Sequence, residues 1–221
     1  MSNKKETTAI NHCKICAHPT VELYDPQLEV TYDVCHHCDF ISKHESYILS
    51  PQKEKARYDT HNNTPDNTGY VTFFETLLNL HVRPLKNVKS ILDFGSGPYP
   101  ILKYVFEQHG YQVTNYDPFY ENDTSFKDHC YDLIVIHEVI EHLSNPIKEL
   151  DMLVPLLKAD GYLLIRTEFR PILESEFLSW WYKRDETHIS FFNETTIFYL
   201  CQKYNLKIID SNHKNTVVLQ K

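Results

Sequence analysis

The sequence predicts a doubly wound α/β fold with a mostly parallel sheet, an antiparallel C-terminal hairpin and a small cysteine-rich unit at the N-terminus. Three observations predict it. From residue 89 onward, short apolar runs alternate with amphipathic stretches, the pattern of strands separated by helices. The last two apolar runs, LKIID and TVVLQ, are joined only by SNHKN, too short for a parallel crossover. Two C-x-x-C pairs, Cys13/Cys16 and Cys35/Cys38, flank LYDPQLEVTYDV, which alternates like strand.

The elements follow in order. Residues 70–83 place Val71, Phe74, Leu77, Leu78 and His81 at helical spacing. SILDF reads as a strand and GSGP as a turn. ILKYVFEQHG reads as an amphipathic helix closed by Gly110. YQVTNYD is a strand ending at Asp117, and YDLIVIHEV is the most apolar run, a buried strand. Asn145-Pro146 carries the signature of an N-cap followed by proline at the first helical position. The helix it opens should run to Asp160, kinked at Pro155. YLLIRTEF is a strand and ETTIFYLCQKYN a helix, before the closing hairpin. The resulting organisation is a metal ribbon over residues 1–48, a linker or covering segment over 49–69, and an α/β domain over 70–221.

Composition narrows the function classes. The chain has 221 residues, 42% hydrophobic and 24% charged, with no run long enough to span a bilayer and no signal-like apolar stretch near its N-terminus. A soluble, cytoplasmic protein is expected. Net charge is −8 and no basic stripe is visible, which argues against a phosphate-gripping nucleic-acid binder and for a small or neutral substrate.

With no secretory signal, paired C-x-x-C points to metal and not to disulfides. The two pairs enclose 18 residues (17–34), the spacing of a four-cysteine zinc ribbon with Cys13, Cys16, Cys35 and Cys38 as ligands. Four thiolates close the shell, so the Zn2+ should be structural; iron suits the same ligands, and His36 or His37 could replace one of them. Cys130 and Cys201 read as buried small hydrophobes.

The segment ILDFGSGPYP is the most informative. Two of the chain's five glycines, Gly95 and Gly97, stand in it. Gly95 lets the chain bend after the strand, and Gly97 leaves room for a ligand against the backbone. Asp117 ends the next strand twenty residues on, where an acid takes the ribose hydroxyls of an adenosine. A nicotinamide fingerprint fails at Pro100, where its third glycine would stand.

On these residues the chain resembles class I S-adenosylmethionine-dependent methyltransferases. Asp93, Gly95, Ser96 and Gly97 match the family's first motif, Asp117 its ribose acid, and residues 132–143 its fourth-strand motif. The likeness spans about residues 70–221. It departs at Tyr99, where many members have glycine, and in the short stretch between Asp117 and Asp132, where a third strand is hard to place; Asp123 or Asp128 would be the adenine-side acid. YDTHNN, YDPFY and WWYKRDETHISFF resemble a bacterial group of zinc-ribbon methyltransferases. That resemblance implies that Tyr58, His61, Asn62 and Pro118 lie on the cofactor. It also implies that Tyr182, Arg184, Asp185 and His188 lie on the substrate side.

Ligands in such sheets bind outside the carboxyl ends of the strands, which selects His137 and Glu138, and with them His188, as catalytic candidates. His137 also counts as a cofactor contact. A zinc-protease H-E-x-x-H reading fails because His137 and His142 are five apart, off a common helical face. Glu141 and His142 read as a first-turn acid and a buried histidine, and Trp180 and Trp181 as core or lid. Three functions compete. The first is methylation of a small molecule. The second is methylation of RNA or protein, with the ribbon as recognition element. The third is a non-catalytic zinc-ribbon module on a cofactor-binding scaffold.

Overall fold

The computed structural model describes residues 11–60, 64 and 66–221. Strands β1 (Val21–Asp25), β2 (Val30–Val34) and β3 (Ile41–Lys43) form an antiparallel meander that carries the two cysteine knuckles. Helix α1 (Pro51–Tyr58) opens with proline at its first turn. Helix α2 (Thr68–Leu77) is capped by the Asn67 side chain, which accepts from the Tyr70 amide at 3.2 Å. The helical stretch expected to reach residue 83 widens into a π turn, Leu78–Val82, after α2.

The α/β part follows: β4 (Ser90–Phe94), α3 (Ile101–Gln108), β5 (Gln112–Tyr116), β6 (Tyr131–His137), α4 (Pro146–Leu153) and β7 (Leu157–Arg166). After them come α5 (Glu174–Ser179), β8 (Ser190–Phe191), α6 (Glu194–Tyr204), β9 (Lys207–Ser211) and β10 (Thr216–Gln220). The sheet order is β5-β4-β6-β7-β10-β9, parallel except for β10, which runs antiparallel to both neighbours. The C-terminal hairpin is as expected. Between Asp117 and Tyr131 the described chain forms a 3-10 turn, Thr124–Asp128, capped by Asp123, and β5 is the sheet edge.

Period-two alternation divides the core. Leu92, Ile134, Ile136, Leu163 and Ile165 face α4, α6 and the cysteine knuckles, while Ile91, Leu133, Val135 and Leu164 face α2 and α3. One element is shorter than its pattern implied. Asn145 and Pro146 do start α4, but it ends at Leu153, and a 3-10 turn holding Pro155 leads directly into β7. Residues 157–160 are strand because β7 pairs with Tyr131 at Leu157, and a register shift absorbs the extra residues.

The meander does not stand apart. Its sheet is completed by β8, with Ile41 opposite Phe191. Lys183 and Asp25 form a fully buried ion pair, Arg170 Nε donates to the Asp39 carbonyl at 2.7 Å, and Thr196 Oγ1 donates to the Cys38 carbonyl at 2.8 Å. Among the described residues no helix is long and apolar enough to cross a membrane.

Candidate active site and metal centre

A cavity of about 730 Å3 opens at the C-terminal ends of β4, β5 and β6, where this topology puts ligands. The glycine turn forms its floor. Gly95 has φ +88° and Gly97 φ +67°, left-handed conformations that admit glycine at little cost. A Cβ on Gly95 would stand 2.3 Å from Val139 Cγ2, so this glycine serves close packing of the turn against the segment after β6. A Cβ on Gly97 would meet nothing within 4 Å, which leaves the backbone open to the cavity. The Gly95 and Ser96 amides both donate to the Tyr116 carbonyl, at 2.7 and 3.1 Å, tying the turn to the tip of β5.

Asp117 holds the adjoining loop. Its Oδ2 accepts from the Gly97 amide at 2.9 Å, and its Oδ1 from the Phe119 and Tyr120 amides at 2.8 and 3.2 Å. Oδ1 thus accepts twice, while Oδ2 keeps a further lone pair for a ligand. Beside it, burial and the Asp117 charge push the Asp93 carboxyl up to about 7.

The opposite wall carries most of the titratable groups. The His137 ring packs 5.0 Å from both Phe73 and Phe74, and burial together with the Arg166 cation pushes its pKa down to about 3. It is a neutral imidazole and a weak base, and its Nε2 has no hydrogen-bond partner among the described residues. Arg166, at the end of β7, lies over the Phe73 ring at 4.9 Å and pairs with Glu138, itself at φ +51°. The Tyr182 hydroxyl lies between two carboxyls, 2.8 Å from Glu138 Oε2 and hydrogen-bonded to Glu141 Oε1. A phenol has one proton to donate, so one of the two acids must be protonated. Glu138 is paired with a guanidinium, whereas burial pushes Glu141 up to about 7, so Glu141 is the acid that takes the proton when no cation lies beside it.

His142 and His188 stand edge to face with ring centres 4.8 Å apart. Each turns Nδ1 to a backbone carbonyl: His142 to Thr187 at 3.0 Å and His188 to Tyr182 at 2.7 Å. Burial lowers the basicity of His188. Helix α1 forms the roof. Tyr58 packs against His142 at 5.3 Å, and Arg57 donates to Asp185 at 2.9 Å. Burial alone would raise the Asp185 carboxyl, but the Thr187 hydroxyl and amide, with Arg57, hold it well below the usual carboxylate range.

Of the residues selected from sequence, Tyr58, Asp93, Gly95, Ser96, Gly97, Asp117, Pro118, His137, Glu138, Asp185 and His188 line this cavity. His61 and Asn62 lie outside the described residues. Arg184 does not line it: the 3-10 turn of residues 182–184 leaves its side chain exposed. Tyr182 is buried behind the wall and acts through Glu138 and Glu141. Asp123 and Asp128 are exposed and spent on the local turn or solvent. Trp180 packs with Phe177 and Phe191, and Trp181 is 62% exposed, so neither roofs the cavity. The sequence reading missed Arg166 as a lining residue, although it obeys the strand-end rule that selected His137. It also missed Tyr70, Phe73 and Glu54, which reach the cavity from the two helices before the sheet.

At the other end of the molecule the four thiols converge. Sulfur separations are 3.6 Å for Cys13–Cys38, 3.4 Å for Cys16–Cys35 and 3.7 Å for Cys35–Cys38. Tetrahedral thiolates at about 2.3 Å from a zinc ion lie ~3.8 Å apart, so the cluster can hold a structural zinc with little adjustment. The His37 ring stacks on His18 at 3.6 Å.

A doubly wound α/β protein with a crevice at its strand tips and a four-cysteine cluster able to hold a metal is thus defined. The family profile described as a methyltransferase domain matches residues 70–211, and the chain belongs to that family: it is a methyltransferase. Among solved structures, a SAM dependent methyltransferase from Archaeoglobus fulgidus is similar at 15% identity, over 68% of this chain and 94% of that one, with a TM-score of 0.52. The plantazolicin methyltransferase BpumL, solved in complex with SAH, is similar at 19% identity over 80% and 93% of the two chains, with a TM-score of 0.50. At these identities the likeness is one of fold. Comparison with curated protein sequences finds no match.

Proposed function

We propose that the protein transfers a methyl group from S-adenosylmethionine to a small-molecule acceptor. The pairing of Gly97 with Asp117 carries this reading: an open backbone and an acid with a lone pair to spare on Oδ2 meet at the tips of adjacent strands. The residues present fit an adenosyl sulfonium. Ser96 Oγ and His137 Nε2 are buried polar atoms without partners among the described residues, groups that a ligand would satisfy. Of the six acids and one arginine that line the same cavity, Asp93, Asp117 and Arg166 match the ammonium, the sugar hydroxyls and the carboxylate of such a ligand.

When bound, the cofactor supplies an electrophilic methyl group on sulfur. Asp117 would take the ribose hydroxyls, with Pro118 beside them and the backbone of Gly95, Ser96 and Gly97 beneath. Asp93 suits the ammonium and Arg166 the carboxylate of the methionine end. Tyr58, with His61 and Asn62 of the 49–69 segment, would cover the cofactor from the side of α1. His137, held neutral, serves as a wall more than as a base. His188 and Glu138 face the acceptor side together with Asp185. With Nδ1–H committed to the Tyr182 carbonyl, the His188 lone pair is on Nε2, the atom that would handle the acceptor's proton. The four-cysteine ribbon is read as a structural zinc site that holds the substrate-side loops through Lys183 and Arg170. A net charge of −8 and a cavity of small-ligand size favour a small molecule over nucleic acid.

Calorimetry with S-adenosylmethionine tests the first step, and absence of binding would sink the reading. Asp117→Asn should weaken binding about 10- to 100-fold, the cost of a charge-assisted hydrogen bond. Labelled-methyl transfer to metabolite extract and to bulk RNA, run side by side, then identifies the acceptor class. Label in RNA alone would overturn the small-molecule assignment.

A further inference from the structure

Apart from the cysteine cluster, the described residues bring a second set of metal-binding side chains together. Glu141, His142 and His188 each offer one donor atom within 4.8 Å of the other two. We propose that they form a site for a divalent transition-metal ion on the substrate side of the cavity.

Several independent features favour a built site over chance proximity. Both histidines turn Nδ1 to a backbone carbonyl, the arrangement that fixes the tautomer and aims Nε2 in metal-ligating imidazoles. Glu141 is 0% exposed, and its Oε2 has no hydrogen-bond partner among the described residues. A buried carboxylate oxygen left without a donor is costly, and a cation offsets that cost. Its other oxygen is held by the Tyr182 hydroxyl, so the carboxyl is oriented from behind as a ligating carboxylate is. The backbone is pinned as well, since the Ile189 amide donates to the Glu141 carbonyl at 2.8 Å. This joins the turn bearing Glu141 and His142 to the strand that follows His188.

Two imidazoles and one carboxylate are the donor set of sites for Zn2+, Fe2+ or Co2+ that keep open coordination positions, in contrast to the closed four-thiolate set at the ribbon. His142 and His188 line the cavity and Glu141 lies behind them, so the remaining coordination positions face the cavity. An acceptor bearing a pair of oxygen donors would suit them, and the ion, taking the His188 lone pair, would replace that histidine as the group that eases loss of the acceptor's proton. That last role rests on the methyl-transfer reading; the binding of the ion does not.

The test uses full-length, untagged protein whose cysteine cluster is already loaded with zinc, with no cofactor added. Titration with Co2+, followed by calorimetry and visible absorption, should show one further equivalent. Its d–d bands should lack the thiolate charge-transfer band that cobalt at the cysteines would give. Tyr182→Phe should weaken that equivalent about 10- to 100-fold, as loss of an orienting partner does. His188→Ala and Glu141→Gln should abolish it while zinc at the cysteines remains stoichiometric. Failure of the wild-type protein to take a second equivalent, or its undiminished uptake by folded His188→Ala, would overturn the site. Binding of S-adenosylmethionine, measured separately, is unaffected by either result.

Discussion

Arg57 and Asp185, 128 residues apart in sequence, meet at 2.9 Å across the mouth of the cavity. The guanidinium comes from α1 and the carboxylate from the loop before β8, so the pair latches the roof to the substrate side. Asp59, two residues on at the C-cap of α1, accepts from the Tyr120 hydroxyl at 2.7 Å and ties the same helix end to the loop after β5. Arg57→Ala should raise the dissociation constant for S-adenosylmethionine about five-fold, the effect of ~1 kcal/mol from a partly exposed pair. Thermal midpoint should move by only about 2–4 °C. Unchanged affinity would show that α1 does not help to retain the cofactor.

Gly95 is bound by both space and backbone. Gly95→Ala should cost about 2–4 kcal/mol, from the left-handed backbone and the collision with Val139. Adding Val139→Ala should restore the part due to the collision. Urea unfolding would then find the double variant more stable than Gly95→Ala alone, although Val139→Ala destabilises the parent protein. Strict additivity of the two losses would contradict the close contact.

Loss of the ribbon metal should be felt far from the cysteines. Cys35→Ser, or a strong chelator, should empty the cluster and lower the thermal midpoint by more than about 10 °C. Amide exchange should rise in β8 and residues 180–192 as well as in the meander, because Lys183, Arg170 and β8 all lean on it. Exchange confined to residues 11–48 would mean that the ribbon is an independent module.

Acid should expose a clamp at the opposite end of the sheet. Burial alone would raise the Asp132 carboxyl, but the Ser90 amide, Lys158, the Ser90 hydroxyl and the Lys89 amide together pull it down to about 2. A depressed carboxylate stabilises the fold above its unfolded pKa, near 4, and that stability is lost as pH falls toward 2. The contribution is about 2 kcal/mol at neutral pH. Asp132→Asn should therefore be less stable than wild type by that order at pH 7, the gap closing as the pH approaches 2. A gap independent of pH would assign the loss to packing.

What the sequence by itself determined is whatever depends on local period and local backbone. Alternating apolar runs set the strands and helices, Asn145-Pro146 set a helix start, two C-x-x-C turns set the cysteine cluster, and the glycine turn with Asp117 set one edge of the cavity. The stretch after Pro155 misled for a related reason: its pattern continues the helix before it, and pairing with β6 made residues 157–160 strand. The tertiary structure decided which distant side chains share a cavity. Arg166 faces it and Arg184 does not, although both follow shortly after an apolar run in the sequence. Arg166 ends a strand beside β6, while Arg184 sits on the outside of a turn whose tyrosine points inward. His142 and His188 likewise became neighbours only when Ile189 bonded back to Glu141. Periodicity records which face of an element is apolar. Convergence is set by strand order and by hydrogen bonds between loops far apart in the chain, and no local pattern encodes those.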